Sequence, residues 1–120
     1  MRVLIVDDAP AARTILATLL ADAGHDVAGV AENEPTALDA CAALRPDAVI
    51  VDGRLEPAGA LPLILRLRAL DAELRIVVAA SLDEVDLVRK AVAAGASAAL
   101  ERPFAPSKLE AALAAPARTR

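Results

Sequence analysis

Three aspartates stand directly after short apolar runs, where a β-strand would end. Asp7 and Asp8 follow the run at residues 2–6, and Asp52 follows the run at residues 48–51. Carboxylates that meet in one crevice raise one another's pKa unless a cation neutralises them. Oxygen ligands with open coordination positions suit Mg²⁺, which also binds phosphate oxygens. A carboxylate beside such an ion can attack phosphorus, so this pattern favours an aspartyl-phosphate formed at a magnesium site.

Some charged residues near these runs have more than one interpretation. Arg102 follows the last apolar run, where it could offset charge on a transferred phosphoryl group or be an ordinary surface residue. Asp8 could cap a helix, because Pro10 follows it closely. His25 stands alone in a predicted turn, without a nucleophile at a recognisable spacing. We therefore expect His25 to be exposed to solvent and to take no part in catalysis.

Short apolar runs alternate with helical periodicity along the chain. The predicted strands are residues 2–6, 27–30, 48–51, 76–80 and 98–100. The predicted helices are residues 10–23, 34–44, 60–70, 83–94 and 107–115. Continuous apolar runs rich in β-branched residues are typical of strands covered on both faces. Asn33 is a predicted cap of the second helix, and Ser81 with Glu84 forms a predicted capping box that opens the fourth.

This alternation of strands and helices predicts an α/β fold. Right-handed crossovers give a parallel sheet between two helix layers, which is a three-layer α/β/α sandwich. The chain of 120 residues has the size of one domain, which we assign to residues 1–116, with a tail at 117–120. Ligands of open α/β sheets bind at the carboxyl ends of the strands, where the strand order reverses. If the first and third strands are neighbours, the three aspartates converge there.

Composition excludes several classes of function. Hydrophobic residues make up 57% of the chain, yet Phe104 is its one aromatic residue, so Ala, Val, Leu and Ile must build the core. A formal net charge of −4 argues against direct nucleic-acid binding, which needs a basic surface. No run approaches the roughly 18 apolar residues of a membrane span, and no signal peptide is recognisable, so we expect a cytoplasmic protein. Cys41 is predicted to be a small core residue.

Four short motifs occur in an order that is typical of one family. They are Val-Asp-Asp at 6–8, Pro-Asp-Ala-Val-Ile-Val-Asp at 46–52, Ala-Gly-Ala at 94–96 and Arg-Pro-Phe at 102–104. Over nearly its whole length the chain resembles the receiver domain of bacterial response regulators, which act in two-component signalling. The resemblance implies a flavodoxin-like topology, with a five-stranded parallel sheet of order 2-1-3-4-5. It also implies a domain that assists its own phosphorylation, not an enzyme with turnover on a substrate.

The resemblance implies a role for each residue of the site. Asp52 would be the phosphoacceptor, and Asp8 and Asp52 would bind Mg²⁺ directly. Asp7 would hold metal-bound water, and the backbone carbonyl of Arg54 would be a further ligand. Arg102 stands where the family has a lysine, and it keeps the charge with a different shape and reach. The peptide bond that follows Arg102 is expected to be cis.

Several positions depart from the family pattern. Ala80 replaces the hydroxyl residue that ends the fourth strand, and Ser81 beside it is a candidate neighbour of the phosphoryl group. Ala99 replaces the aromatic residue of the fifth strand. In the loop after the phosphoacceptor, Glu56 replaces a proline and Ala60 replaces a glycine. We therefore expect Mg²⁺ binding and slow phosphorylation, without the usual coupling between the hydroxyl and the ring.

Two hypotheses about function remain open. In the first, a histidine kinase or histidine phosphotransfer protein delivers a phosphoryl group to Asp52, and the output takes an atypical route. In the second, a receiver-like module binds a protein partner through the fourth helix, fifth strand and fifth helix whatever the state of Asp52. A homodimer is compatible with either. A flavin site or a Rossmann dinucleotide site fits worse, because Asp7 and Asp8 stand where a phosphate loop or a Gly-rich turn would be needed.

Overall fold

Strands and helices alternate through residues 1–117, the part of the chain that the computed structural model describes. The strands are β1 (Arg2–Val6), β2 (Asp26–Ala31), β3 (Ala48–Asp52), β4 (Arg75–Ala80) and β5 (Ala98–Glu101). The helices are α1 (Pro10–Asp22), α2 (Glu34–Leu44), α3 (Leu61–Leu70), α4 (Val85–Ala94) and α5 (Pro106–Ala114). Each predicted element is present, and residues 118–120 of the predicted tail lie outside the described residues. None of these helices is long and apolar enough to cross a lipid bilayer.

The strands form one parallel sheet in the order β2-β1-β3-β4-β5, as predicted. In the pairing of β1 with β3, Val6 lies beside Val51. The residues that follow these two strands therefore leave the sheet side by side. The chain passes from β1 to β2 on one side and reaches β3 on the other, so the strand order reverses at this point. Such a point is where α/β sheets bind ligands.

The core is divided by the sheet into two halves. Successive strand residues point to opposite faces, and β3 illustrates this, because Val49 and Val51 lie in one half while Ile50 lies in the other. Helices α2, α3 and α4 cover the first face through residues such as Ile64. Helices α1 and α5 cover the second face through residues such as Leu109. The predicted three-layer sandwich is confirmed.

The two predicted helix caps have different outcomes. Asn33 caps α2 as predicted, because its Oδ1 accepts the backbone N–H of Thr36 at 3.0 Å. The capping prediction for Ser81 is wrong, since α4 begins only at Val85 and no side chain within the described residues caps it. The backbone N–H of Ser81 instead donates to Oε1 of Glu84 at 2.7 Å. The acidic side chain thus holds the turn before α4, and the serine hydroxyl does not.

Buried Arg68 joins the carboxyl ends of α3 and α4. Its side chain reaches the carbonyl of Gly95 through Nε at 3.0 Å and Nη2 at 2.8 Å. Nη1 donates to the carbonyls of Asp71 and Ala72 at 3.1 Å each. Gly95 has a φ of +123°, and a Cβ there would lie 2.8 Å from Cγ of Arg68, so only glycine fits. The positive charge of Arg68 also interacts favourably with the negative carboxyl end of each helix dipole.

Two residues that were expected to be bystanders have different surroundings. Cys41 is half-buried and packs against the core, as predicted, and burial raises the pKa of its thiol to about 11. His25 was expected to be exposed, and this is wrong, because only 13% of its side chain is accessible. Its Nε2 lies 2.5 Å from Oε1 of Glu110, and its Nδ1 lies 3.0 Å from the amino group of Met1. The turn after α1 places the ring between the N-terminus and α5.

Candidate functional site

The carboxylates of Asp7, Asp8 and Asp52 meet at the carboxyl ends of β1 and β3. One oxygen from each carboxylate lies within 4.8 Å of the others. Asp7 is buried, Asp52 is half-buried and Asp8 is exposed, so the cluster opens to solvent on one side. The convergence expected from neighbouring strands is therefore present.

Asp7 is only 1% exposed and makes an incomplete set of hydrogen bonds. Its Oδ1 accepts the backbone N–H of Ala9 at 2.9 Å, but its Oδ2 has no hydrogen-bond partner within the described residues. Burial raises the pKa of Asp7, and the nearby charge of Asp52 raises it further, against the opposing effects of the Ala9 N–H and Arg102. A buried carboxylate oxygen without a donor is unfavourable. A divalent cation whose bound water donates to that oxygen would satisfy it, so the residues present fit Mg²⁺.

Asp8 is free to act as a ligand, because it does not cap α1. The residue at the start of α1 is Ala9, and no side chain in the described part of the chain caps this helix. Oδ2 of Asp8 instead accepts the backbone N–H of Glu56 at a long distance of 3.4 Å. The alternative of a helix cap is therefore wrong for Asp8.

Arg102 reaches into the acidic cluster from the end of β5. Its Nη2 lies 3.0 Å from Oδ1 of Asp52 and 3.7 Å from Oδ2 of Asp7. The centre of its guanidinium lies 5.4 Å from the centroid of the Phe104 ring, which fits a cation–π contact. Only 29% of its side chain is exposed, so the reading as an ordinary surface residue is wrong. The bond between Arg102 and Pro103 is cis, as expected.

The loop after β3 is held close to Asp52. The backbone N–H of Gly53 donates to the carbonyl of Ala79 at 2.9 Å, and a Cβ at Gly53 would lie 2.9 Å from that same oxygen. The following N–H, of Arg54, donates to Oδ1 of Asp52 at 3.2 Å. Gly59 has a φ of +79° and lies one residue before Ala60, which is fully buried. Gly59 can therefore supply the turn conformation next to the position where Ala60 replaces the family's glycine.

Ala80 and Ala99, which replace the family's hydroxyl and aromatic residues, leave space instead of making polar contacts. Ala80 ends β4 and is 2% exposed, so a methyl group lies where the family has a hydroxyl. Ala99 lies exposed on β5. A groove of about 240 Å³ between β5 and α4 is lined by both alanines together with Val85 and Val88. Ser81 is half-buried at one end of this groove.

Three charged side chains contribute contacts that the sequence patterns did not predict. Arg13, in the first turns of α1, donates from Nη1 to the carbonyl of Asp7 at 2.7 Å. Arg54 was named only for its carbonyl, yet its Nε donates to Oε2 of Glu84 at 2.5 Å. A basic residue in the first turn of the helix that follows the acidic pair is a signal that could have revealed Arg13. The contact between Arg54 and Glu84 joins two loops and has no local signal.

The fold and the acidic site together define a class of signalling domain. The family described as "Response regulator receiver domain" matches residues 3–114. The chain therefore belongs to the response regulator receiver domain family.

Individual relatives support the same assignment. The chemotaxis protein CheY of Thermotoga maritima is 34% identical over 112 residues, which cover 93% of this chain and 93% of that protein. The protein-glutamate methylesterase/protein-glutamine glutaminase 3 of Anaeromyxobacter dehalogenans is 41% identical over 109 residues, and the match spans 88% of this chain but 32% of that longer protein. The crystal structure of the receiver domain of NtrX from Brucella abortus superposes with a TM-score of 0.83 at 28% identity, covering 92% of this chain and 97% of that one.

Proposed function

We propose that residues 1–116 act as a phosphoacceptor domain in the cytoplasm. A histidine kinase or a histidine phosphotransfer protein would supply the phosphoryl group, and Asp52 would receive it in a Mg²⁺-dependent reaction. The observation that carries this proposal is the meeting of the three carboxylates within 4.8 Å, with Arg102 at 3.0 Å from Asp52.

The chemistry at Asp52 is a simple displacement at phosphorus. A carboxylate oxygen of Asp52 attacks the phosphorus of a phosphohistidine, so that a P–O bond forms, the P–N bond breaks and the imidazole leaves with the electron pair. Arg102 and the N–H of Arg54 orient the attacking carboxylate. Bound Mg²⁺ would neutralise charge on the transferred group. Asp8, Asp52 and the carbonyl of Arg54 would bind that ion directly, and Asp7 would bind one of its waters.

The departures from the family pattern lower the expected rate of transfer. A preorganised hydroxyl donor aimed at the phosphoryl oxygens lowers the barrier to transfer, and Ala80 has none. Ser81 remains a candidate neighbour of the phosphoryl group, because it is half-buried beside Ala80 and its hydroxyl is not needed as the cap of α4. We therefore expect slow phosphorylation that still depends on Mg²⁺.

The surface formed by α4, β5 and α5 is the proposed binding site for a downstream protein. Leu82 and Val85 are 73% and 62% exposed at its edge, and Ala99 leaves the groove beside them open. Leu82, Val85 and Ala99 line one groove, and contiguous exposed apolar surface is typical of sites where proteins dock. A homodimer through the same elements is compatible with this surface.

Thermal unfolding with a mimic of the phosphoryl group tests the proposal. Beryllofluoride places fluorines where the phosphoryl oxygens would be. We expect Mg²⁺ to raise the melting temperature, and Mg²⁺ with beryllofluoride to raise it further. At a hundredfold excess of beryllofluoride over its Kd, the free energy of unfolding should rise by about 2.7 kcal/mol. Asp52→Ala should abolish the second shift, and Asp39→Asn on the exposed face of α2 should keep both. A shift with Mg²⁺ alone and none with beryllofluoride would contradict the phosphoacceptor role and favour a module that binds partners whatever the state of Asp52.

A further inference from the structure

An ion pair connects the two loops on either side of the phosphoacceptor. Arg54 lies in the loop after β3, and Glu84 lies in the turn before α4. Nε of Arg54 donates to Oε2 of Glu84 at 2.5 Å. The arginine side chain is 72% exposed, whereas the glutamate side chain is only 8% exposed. Glu84 is therefore fixed within the protein, while the guanidinium of Arg54 has solvent around it and room to move.

The backbone of Arg54 keeps its guanidinium near the site of phosphorylation. The N–H of Arg54 already donates to Oδ1 of Asp52 at 3.2 Å. Rotation about the bonds of this long side chain would carry its charge from Glu84 toward Asp52 without moving the backbone. Arg54 thus has one acidic partner at its backbone, Asp52, and another at its guanidinium, Glu84.

Glu84 determines how α4 begins. Its Oε1 accepts the backbone N–H of Ser81 at 2.7 Å, and Glu84 is itself the N-cap residue of α4. These bonds, with the backbone bond from the N–H of Glu84 to the carbonyl of Ser81 at 3.0 Å, hold the turn that opens the helix. The negative charge of Glu84 interacts favourably with the positive N-terminal end of the α4 dipole, and the ion pair with Arg54 neutralises that charge. A change in the partner of Arg54 would therefore be felt at the first turn of α4.

We infer that Arg54 is a phosphoryl-binding residue, whose guanidinium exchanges Glu84 for the phosphoryl group once Asp52 carries one. This inference rests on the proposed function. A phosphoryl group carries close to two negative charges and three strong acceptor oxygens, whereas Glu84 offers a single charge. An ion pair with an exposed partner shifts the equilibrium between its paired and separated states by roughly five-fold at most. Charge-assisted hydrogen bonds to phosphate are stronger. The balance therefore favours the phosphoryl group.

The exchange has two consequences for the signal. Arg54 gives the phosphoryl group a donor that the methyl group of Ala80 cannot give. Release of Glu84 changes the charge and the contacts at the start of α4, next to the open groove at Ala99. The state of Asp52 can thus reach the α4 surface without a switching hydroxyl or a rotating ring.

Titration with beryllofluoride at saturating Mg²⁺ tests the exchange in a double-mutant cycle. In the parent background, Glu84→Gln should tighten beryllofluoride binding by roughly two- to five-fold, because Arg54 is no longer held away from the site. Arg54→Gln should weaken it, and Glu84→Gln should have no effect once Arg54 is replaced. Asp86→Asn is the matched control, since it removes the same charge from the first turn of α4 but its carboxylate pairs with Arg89. It should change the affinity equally in both backgrounds.

A second readout follows the backbone of α4 directly. In the parent, beryllofluoride should shift the amide resonances of Glu84 and the residues after it, and Glu84→Gln should show these shifts before any ligand is added. Equal tightening by Glu84→Gln with and without Arg54 would overturn the exchange while leaving the phosphoacceptor role intact. A parent that binds Mg²⁺ but no beryllofluoride would instead overturn both.

Discussion

Arg102 makes two contacts with different requirements, one to a carboxylate and one to an aromatic ring. The planar guanidinium serves both, because Nη2 lies 3.0 Å from Oδ1 of Asp52 while its centre lies 5.4 Å from the centroid of the Phe104 ring. A lysine at this position would supply only a point charge. The same positive charge that favours a phosphoryl group also competes with a cation, since Nη2 is within 3.7 Å of Asp7 as well.

Neutralising Arg102 is therefore predicted to have opposite effects on the two ligands. In Arg102→Gln, Mg²⁺ alone should bind more tightly, by about two- to ten-fold, because a like charge leaves the site. Beryllofluoride in the presence of Mg²⁺ should bind about ten-fold more weakly, because a charge-assisted donor is lost. Calorimetric titration of each ligand measures both effects. Arg89→Gln, on exposed α4, serves as the control, and a change of the same sign for both ligands would contradict the assigned role.

Among the elements, α3 and α4 are joined by a guanidinium and not by an apolar seam alone. Arg68 is 8% exposed, and burial lowers the pKa of its guanidinium. Its acceptors are mainly backbone carbonyls at the ends of these two helices, so it takes the place of the donors that a helix carboxyl end lacks.

Removal of this donor should destabilise the whole domain. Arg68→Met keeps much of the apolar stem but leaves the buried carbonyl of Gly95 without its two bonds. We expect the free energy of unfolding to fall by about 2 kcal/mol, since relief from burying a charge offsets only part of the loss. Urea unfolding measures the change. Arg66→Met on the same helix, where 59% of the arginine side chain is exposed, should cost less than about 1 kcal/mol.

The turn before α4 should make a contribution to stability that depends on pH. The pKa of Glu84 is lowered from its usual 4.5, first by the N–H of Ser81 and then by Arg54. A carboxylate with a lowered pKa stabilises the fold above its unfolded pKa, and this stabilisation is lost as the pH falls through the folded pKa. Glu84→Gln should therefore be less stable than the parent near pH 7, by about 0.5 kcal/mol. The difference should shrink as the pH falls below 4.5 and vanish below the folded pKa, and a difference that grows in acid would contradict the assignment.

Local patterns predicted some elements well and others poorly, for identifiable reasons. The strands were found because buried runs such as Val49 to Val51 are continuous and are bounded by polar residues. The start of α4 was missed because Ser81 carries a capping signal, although the side chain of Glu84 holds that turn. No local pattern predicted the role of Arg68, since its acceptor carbonyl on Gly95 lies 27 positions away in the chain. The pair between Arg54 and Glu84 was missed for the same reason, and so was the burial of His25.

At the scale of the whole molecule, the proposed Mg²⁺ site would couple the stability of the fold to divalent cations. The sheet order brings Asp7 and Asp52 together, and the core on both sides of β1 and β3 keeps them there. Without a cation, the carboxylates of this cluster repel one another, and Oδ2 of Asp7 is buried without a donor among the described residues. The residues were predictable as a group because two strand tips carry them, whereas their unequal burial was not.

Neutralising one member of the cluster should stabilise the metal-free protein. In Asp7→Asn the repulsion with Asp52 disappears, and the amide oxygen can still accept the N–H of Ala9. Since the pKa of Asp7 is raised by burial, the parent loses stability when Asp7 ionises and recovers it as the pH falls. We expect a gain in the free energy of unfolding at neutral pH without Mg²⁺, with most of the stabilisation by Mg²⁺ lost. Asp39→Asn should change neither quantity when unfolding is followed by circular dichroism.

Phe104 lies against the same guanidinium that touches Asp52, and the chain contains one phenylalanine, no tyrosine and no tryptophan. Biosynthetic incorporation of 4-fluorophenylalanine would consequently give a fluorine spectrum with a single line. A change in the position or pairing of the Arg102 charge alters the electric field at that nucleus. One unassigned resonance would then report, in real time and in a crude mixture, whether the neighbouring carboxylate has been modified.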